Sequence, residues 1–267
     1  MNEVTQLREG PQPATAQQHV EIAFHNVSYS SNAQAILKDF SLVVQRGETL
    51  ALLGRSGAGK TTALKLINRL HEPTSGEVIV QGRSTMEWDP IQLRRSIGYV
   101  IQESGLFPHY TIRENVAIVP SLEGWPREKT NVRVEQLLSM IGMPLHEFGS
   151  RYPHELSGGQ RQRVGVARAL AADPPILLMD EPFAALDQIT RSELQHEFLS
   201  LQQHLGKTVV LVTHDLREAL LLGSCIALLE DGKLTLMAKR EEFLSSPEGA
   251  VQAFVKPFLE AEQLLPR

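Results

Sequence analysis

The chain has 267 residues, 42% of them hydrophobic, and a formal net charge of −5. That length holds one large domain or two small ones with a full core, and the acidic balance argues against a nucleic-acid partner, which normally demands a basic excess. Cys225 is the single cysteine, which excludes an internal disulfide and a cysteine-based metal site, and its apolar neighbours suggest a buried, inert thiol; no apolar run approaches the ~18 residues of a membrane span and no signal-peptide core opens the chain, so a cytoplasmic location is expected.

From the N-terminus, residues 1–19 are polar, carry Pro11 and Pro13 and lack apolar periodicity, so a disordered tail is expected. Val20 to Tyr29 and Ile36 to Val44 partly alternate apolar with polar side chains, which predicts two antiparallel strands; Glu77 to Val80, bracketed by Gly76 and Gly82, predicts a third. Thr49 to Leu53 is a continuous apolar run of the kind buried on both faces of a parallel sheet. Ala63, Leu66, Ile67 and Leu70 then recur at helical spacing. Ile97 to Ile101 is another apolar strand, ending at Gln102. Between about 103 and 170 the pattern turns helical, broken by Pro108, Pro120, Pro126, Pro144 and Pro153, which predicts an inserted helical subdomain. Pro175 to Met179 and Thr208 to Thr213 predict two more buried strands, running into Asp180-Glu181 and His214-Asp215. Ile226 to Leu229 and Leu234 to Met237 flank a turn and read as a hairpin, followed by a helix through Glu241 to Leu244. The main domain is expected over 20–255, with a tail over 256–267.

Gly54-Arg55-Ser56-Gly57-Ala58-Gly59-Lys60-Thr61 fits G-x-x-x-x-G-K-[ST] between a buried strand and a helix, the context in which backbone N–H groups cradle phosphates. Lys60 is placed to reach the β- and γ-phosphates and Thr61 to ligate Mg²⁺; with Thr62, Gly54 to Thr61 form the candidate nucleotide contacts. The strands ending at Gln102, Asp180-Glu181 and His214 should reach the same sheet edge, where open α/β sheets bind ligands. Asp180 would hold Mg²⁺ opposite Thr61, directly or through water. Glu181 would orient or polarise a water for in-line attack on the γ-phosphorus, which favours hydrolysis over transfer. His214 could hydrogen-bond the γ-phosphate or that water, and Gln102 could reach Mg²⁺ or the water. A second strong feature is Leu156-Ser157-Gly158-Gly159-Gln160: a capping serine and two glycines leave open N–H groups at a helix N-terminus, an anion site of no use beside a complete phosphate loop unless it serves another subunit. Leu106-Phe107-Pro108 puts large apolar side chains in a loop, either as a satellite cluster or as a docking surface.

With that signature in order between Gln102 and Asp180-Glu181, the chain resembles the nucleotide-binding subunits of ATP-binding cassette (ABC) transporters over Val20 to about Val255. The resemblance implies an α/β fold with a P-loop NTPase (RecA-like) parallel-sheet core, an antiparallel β subdomain and an inserted α-helical signature subdomain, taking ATP and Mg²⁺. It implies a homodimer or a dimer with a paralogue, in which two ATPs are sandwiched head to tail, each between one chain's loop and Ser157, Gly158, Gly159 and Gln160 of the other. Asp187, in Ala185-Leu186-Asp187, would couple the two sites, and Gln102 would link the γ-phosphate to the helical subdomain. The surface near Leu106 to Tyr110 would receive a transmembrane permease subunit. Where the family usually stacks adenine on an aromatic this chain has Ser31, and Tyr29, two residues earlier on the same strand face, is expected to substitute. The phrasing at 64–70, 72–76, 98–102, 106–109 and 151–156 is similar to importers of glycine betaine, choline, carnitine and related osmoprotectants. That similarity implies the ATP-hydrolysing subunit of an importer, peripheral on the cytoplasmic face of the membrane, acting on permease subunits and indirectly with an extracytoplasmic solute-binding protein. The alternatives are an importer for another solute, such as an amino acid or a lipid, and a soluble ABC ATPase, which usually carries a coiled-coil insertion or two cassettes; a P-loop kinase would have no use for the signature. Many members of the osmoprotectant group carry C-terminal regulatory domains, and none is expected here.

Overall fold

The computed structural model describes residues 19–102, 105–184 and 186–263; the N-terminal stretch expected to be a tail lies outside them, apart from His19. In chain order the elements are β1 (Val20–Ser31), β2 (Gln34–Gln45), β3 (Thr49–Leu53), α1 (Lys60–Ile67), β4 (Ser75–Val80), β5 (Arg83–Ser84), α2 (Pro90–Arg95) and β6 (Ile97–Val100). The helices α3 (Ile112–Leu122), α4 (Arg127–Met140), α5 (Leu145–Phe148) and α6 (Gly158–Leu170) follow. The chain then returns to the sheet with β7 (Ile176–Asp180), α7 (Gln188–Leu205), β8 (Thr208–Thr213), α8 (Leu216–Leu222), β9 (Cys225–Glu230), β10 (Lys233–Lys239), α9 (Arg240–Ser245) and α10 (Gly249–Gln263).

Two sheets result. The smaller is antiparallel in the order β2-β1-β4-β5, and the larger runs β10-β9-β3-β8-β7-β6. In the larger sheet β9, β3, β8, β7 and β6 are parallel and β10 closes one edge antiparallel to β9. Every residue of β3, β7 and β8 is buried, as continuous apolar strands covered on both faces must be. Alternation sorts their side chains. Leu50, Leu52, Val210, Val212 and Leu229 face a core shared with α1 and the antiparallel sheet. Ala51, Leu53, Ile226 and Leu228 face α8 and the C-terminal helices, while Leu177, Met179, Val209 and Leu211 join the helices of the insertion. Each fully buried leucine or valine contributes roughly 1.5–3 kcal/mol relative to exposure, so β3 is held from both sides and the loop after it starts from a fixed point.

Local chemistry sets the helix starts. Asp89 caps α2, accepting from the N–H of Ile91 and Gln92 with Pro90 at the first helical position, where a missing N–H costs nothing. Thr111 and Glu114 form a reciprocal capping box at α3. The stretch after residue 255, expected as a tail, is helical as far as Gln263: α10 buries Val251 and Val255 against the sheet. The hairpin of β9 and β10 is present, and its tertiary placement puts β9 directly beside β3. Cys225 is buried, its Sγ 3.3 Å from the Ala238 carbonyl.

Candidate functional site

The parallel strands deliver four loops to one edge of the large sheet. The first is the glycine loop after β3. A Cβ on Gly54 would lie 2.3 Å from the Leu229 carbonyl oxygen of β9, so the loop can leave the sheet there only as glycine. Gly57 and Gly59 have φ of +82° and +102°, the left-handed region that other residues rarely adopt. Gly59 also packs its Cα on β2, where a Cβ would come within 2.8 Å of Leu37 Cδ2. Helix α1 begins at Lys60 with no side-chain cap, so its first N–H groups face the loop, where anions are stabilised.

Lys60 is 5% exposed, and its ammonium donates to the carbonyls of Gly54 at 2.8 Å and Arg55 at 2.9 Å. Burial pulls its pKa below the ordinary lysine value, against the opposing pull of Glu181 and Asp180. Thr61 donates its hydroxyl to Asp180 Oδ1 at 2.8 Å, bringing the start of α1 to the end of β7. Burial pushes the Asp180 carboxyl above the usual range, and the Thr61 hydrogen bond partly offsets this. Tyr99 of β6 donates to the other Asp180 oxygen at 3.5 Å, and its phenol is pushed well above the usual value by burial and then by the Asp180 charge. Tyr99 was not singled out from sequence; the available signal was its place in a strand that runs into Gln102.

Glu181 follows with φ +44°, a left-handed backbone in a non-glycine residue, pinned by its N–H to the Val212 carbonyl at 3.0 Å. Backbone strain of this kind costs about 1–3 kcal/mol and gathers at functional sites. Its carboxylate meets His214 Nδ1 at 3.2 Å, just beyond the ends of the paired strands β7 and β8. Beside the loop lies a cavity of about 440 Å³ lined by Ser56, Gly57, Gly59, Lys60, Thr61 and Thr62, by Gln102 and Glu181, and by Gln34 and Ile36 of β2. Gly54 and Ala58 are buried beneath it, and Arg55 is exposed at the loop with its carbonyl turned to Lys60.

Tyr29 is not among the residues lining that cavity. Its ring stacks on His71, centroids 4.9 Å apart. β1 is irregular there, with register shifts on both sides of Tyr29. Gln34 and Ile36 line the wall instead, and a side chain's neighbours across a tight hairpin are not legible from spacing alone.

The signature lies elsewhere in the chain. Ser157 caps α6 by accepting the Gln160 N–H at 3.2 Å, while the Gln160 side chain returns to the Ser157 N–H at 2.9 Å. Ser157 and Gly158 are exposed, whereas Gly159 is buried against α7. Asp187 caps α7 by accepting the Thr190 N–H at 3.1 Å; the Thr190 side-chain hydrogen bond first, and then this backbone bond, holds its carboxyl below the usual range. None of these residues lines the cavity beside the phosphate loop. The fold thus assembles Gln102, Asp180, Glu181 and His214 with the loop, and sets Ser157, Gly158 and Asp187, all exposed, together with half-buried Gln160 and buried Gly159, as a separate helix-end cluster.

Hard oxygens from Thr61 and Asp180, 2.8 Å apart at the mouth of a phosphate-sized loop, suit Mg²⁺, which takes few protein ligands and completes its shell with water and phosphate. Among the described residues no cluster of three or more His, Cys, Asp or Glu could hold a metal ion.

A glycine loop on a parallel sheet, an acidic pair at the next strand end and a capped glycine signature on an inserted helical layer define a P-loop protein of the cassette class. The chain belongs to the ABC transporter family, whose sequence pattern matches residues 37–184. It is 49% identical over 89% of its length to the glycine betaine/carnitine/choline transport ATP-binding protein OpuCA of Bacillus subtilis, covering 61% of that protein. It is 49% identical over 85% of its length to the osmoprotectant import ATP-binding protein OsmV of Salmonella typhimurium, covering 59% of it. The chain spans about three fifths of the length of these curated relatives. Among solved structures, the dimeric ATP-binding cassette MJ0796 bound to ADP and Pi superposes with a TM-score of 0.73 at 36% identity, over 82% of this chain and 98% of that one. CbiO1 from Clostridium perfringens, part of the ABC transporter complex CbiONQ, superposes with a TM-score of 0.79 at 25% identity, over 92% of this chain and 100% of that one.

Proposed function

We propose that this chain is the ATP-hydrolysing subunit of a bacterial ABC importer for osmoprotectants of the glycine betaine, choline and carnitine type. What supports hydrolysis above all is the meeting of two pairs beside the cavity that Thr61 and Glu181 line, Thr61 with Asp180 at 2.8 Å and Glu181 with His214 at 3.2 Å. The loop N–H groups and the Lys60 ammonium hold the β- and γ-phosphates. Thr61 and Asp180 hold Mg²⁺, which neutralises charge on the phosphate oxygens when bound. Glu181 orients and polarises a water in line with the γ-phosphorus; His214, fixed by Glu181, donates to the γ-phosphate or that water; Gln102, in the turn that follows β6, senses the same oxygens.

Ser157, Gly158, Gly159 and Gln160 of a second subunit, identical or paralogous, close on the nucleotide, with Asp187 at the seam. The exposure of Ser157 and Gly158 away from the chain's own loop supports this arrangement. On the other side, Phe107 is 40% exposed in a cluster with His109 and Tyr110. Nearby in the fold, a groove of about 360 Å³ between α2 and α3 presents Ile91 and Leu122, each 57% exposed. Apolar side chains this open suit a permease subunit. Among the described residues no helix is long and apolar enough to cross a membrane, so attachment runs through that partner on the cytoplasmic face, and the extracytoplasmic solute-binding protein acts indirectly. The solute class is supported by the relatives of 44–49% identity named for glycine betaine, choline, carnitine or osmoprotectant transport.

The test is uptake of labelled glycine betaine, choline and carnitine by cells carrying the complete transporter with this chain or its Glu181→Gln form. Uptake of at least one that disappears in the variant is expected. No uptake of any of the three overturns the solute class, and absence of phosphate release from the wild-type protein with saturating Mg·ATP overturns the motor role.

A further inference from the structure

Behind His214 lies a buried carboxylate that the hydrolytic site leaves unused. Glu218, on the first turn of α8, is 4% exposed. Its two oxygens are both engaged: Oε2 accepts the Thr213 hydroxyl at 2.6 Å, and Oε1 accepts Gln195 Nε2 of α7 at 3.1 Å. The Thr213 hydroxyl in turn accepts the Asp215 N–H at 3.0 Å. Thr213 and Asp215 flank His214 in sequence, so one hydroxyl ties both neighbours of the histidine to one buried acid. Asp215 is gripped a second time, its side chain 3.9 Å from Arg191 of α7. Burial pushes the Glu218 carboxyl above its ordinary range, against the Thr213 bond and the charges of Arg191 and His214, with Asp215 adding to the rise. Burying an ionisable group with neutral donors costs stability, and an apolar residue would fill the space without that cost.

Gln195 and Arg191 stand on one face of α7 with its cap Asp187, at successive spacings of four. The start of α7 also packs on the signature helix, where Thr190 Cγ2 sits against Gly159. The helix that carries the surface proposed to meet a second subunit therefore grips both acids beside His214.

We infer that Glu218, acting through Thr213 and held by Gln195, is a positioning residue that sets His214 for hydrolysis and ties it to α7. The inference rests on the ATPase reading above. Holding a histidine to hydrogen-bond geometry matters because a misplacement of about 1 Å in a catalytic group can cost about a hundredfold in rate. The role differs from packing in that it acts only through His214.

The experiment measures steady-state phosphate release by the full chain carrying Thr213→Val, which keeps the shape and removes the hydroxyl, and Glu218→Ala, with Thr213→Ser and Glu218→Gln as restoring variants. Each of the first pair is expected to lower kcat about tenfold to a hundredfold while KM for ATP stays within about threefold, the signature of an interaction realised in the transition state. The serine and glutamine forms recover activity to within about threefold of wild type. In a His214→Ala background, followed by single-turnover phosphate release, Thr213→Val should add less than about a threefold loss, since coupled residues are non-additive. Losses that multiply on that background, a Glu218→Gln form as impaired as Glu218→Ala, or a folded Thr213→Val protein within threefold of wild type would each overturn the inference. A wild-type protein with no hydrolysis marks failure of the ATPase reading itself, and this inference falls with it.

Discussion

The two glycines of the signature are adjacent in sequence and opposite in demand. An ideal Cβ built on Gly159 lies 2.4 Å from Thr190 Cγ2, with Thr190 Cβ and Leu186 Cδ2 next at 3.8 and 3.9 Å. A methyl carbon at 2.4 Å is more than an ångström inside contact distance, so Gly159→Ala must push α6 from α7 or rotate Thr190. Rotation is resisted because the Thr190 side chain hydrogen-bonds Asp187. Overpacking of this kind costs about 1–3 kcal/mol, which for a chain of this size lowers Tm by roughly 2–10 °C. On Gly158 the same Cβ meets only Arg161 Nη2 at 3.9 Å, and alanine at a helical position costs less backbone entropy than glycine, so Gly158→Ala should melt at or slightly above wild type. Thermal melts without nucleotide test the contrast, and Thr190→Ser in the Gly159→Ala background supplies the check, because removing Cγ2 removes the clash and should restore most of the lost Tm. Equal melting of the two alanine variants, or no rescue by serine, would refute the packing account. If Gly158 is instead needed open to a second subunit, Gly158→Ala will fold normally and lose ATP-dependent association in size-exclusion chromatography.

Other outcomes follow from the same geometry. Glu181→Gln keeps the size of the side chain and removes its charge; phosphate release should fall by at least about a hundredfold while ATP binding by equilibrium dialysis stays close to wild type, and a loss below tenfold excludes Glu181 from the water-activating role. Asp180 has its folded pKa raised, chiefly by burial, so the unfolded chain releases that proton more readily and the fold loses stability as pH rises from the ordinary carboxylate range through the folded value. Asp180→Asn should therefore melt above wild type near neutral pH without nucleotide, with the gain shrinking as pH falls through the folded value and gone by about pH 4; a variant that melts lower at neutral pH contradicts this. The Cys225 thiol is pushed up to about 11, first by burial, so the folded protein should resist a thiol reagent at pH 8 and react once guanidinium unfolds it, whereas rapid reaction in the native state would place the sulfur at the surface.

The positions of Thr49–Leu53, the glycine loop, Asp180-Glu181 and His214 were legible in the sequence because each rests on short-range rules. Continuous apolar runs mark strands covered on both faces, and residues that follow parallel strands in the C-terminal direction emerge on one edge. The signature and its cap were legible for a similar reason, since Ser157 and Gln160 satisfy each other within one turn. The stacking of Tyr29 on His71 was not legible because face-sharing in a strand assumes an unbroken register, and β1 shifts register at that residue. Helix α10 was hidden since only its tertiary contacts, through Val251 and Val255, give its apolar residues something to cover. Tyr99 on Asp180 and Glu218 under Thr213 lie 81 and 5 residues from their partners, yet both depended on the fold: one needs β6 beside β7, the other needs α8 turned back on β8. Local chemistry wrote the loop, the caps and the strand ends into the amino-acid order; which buried polar groups meet across the sheet was decided by packing, because a hydrogen bond between distant residues exists only after the hydrophobic layers have chosen their neighbours.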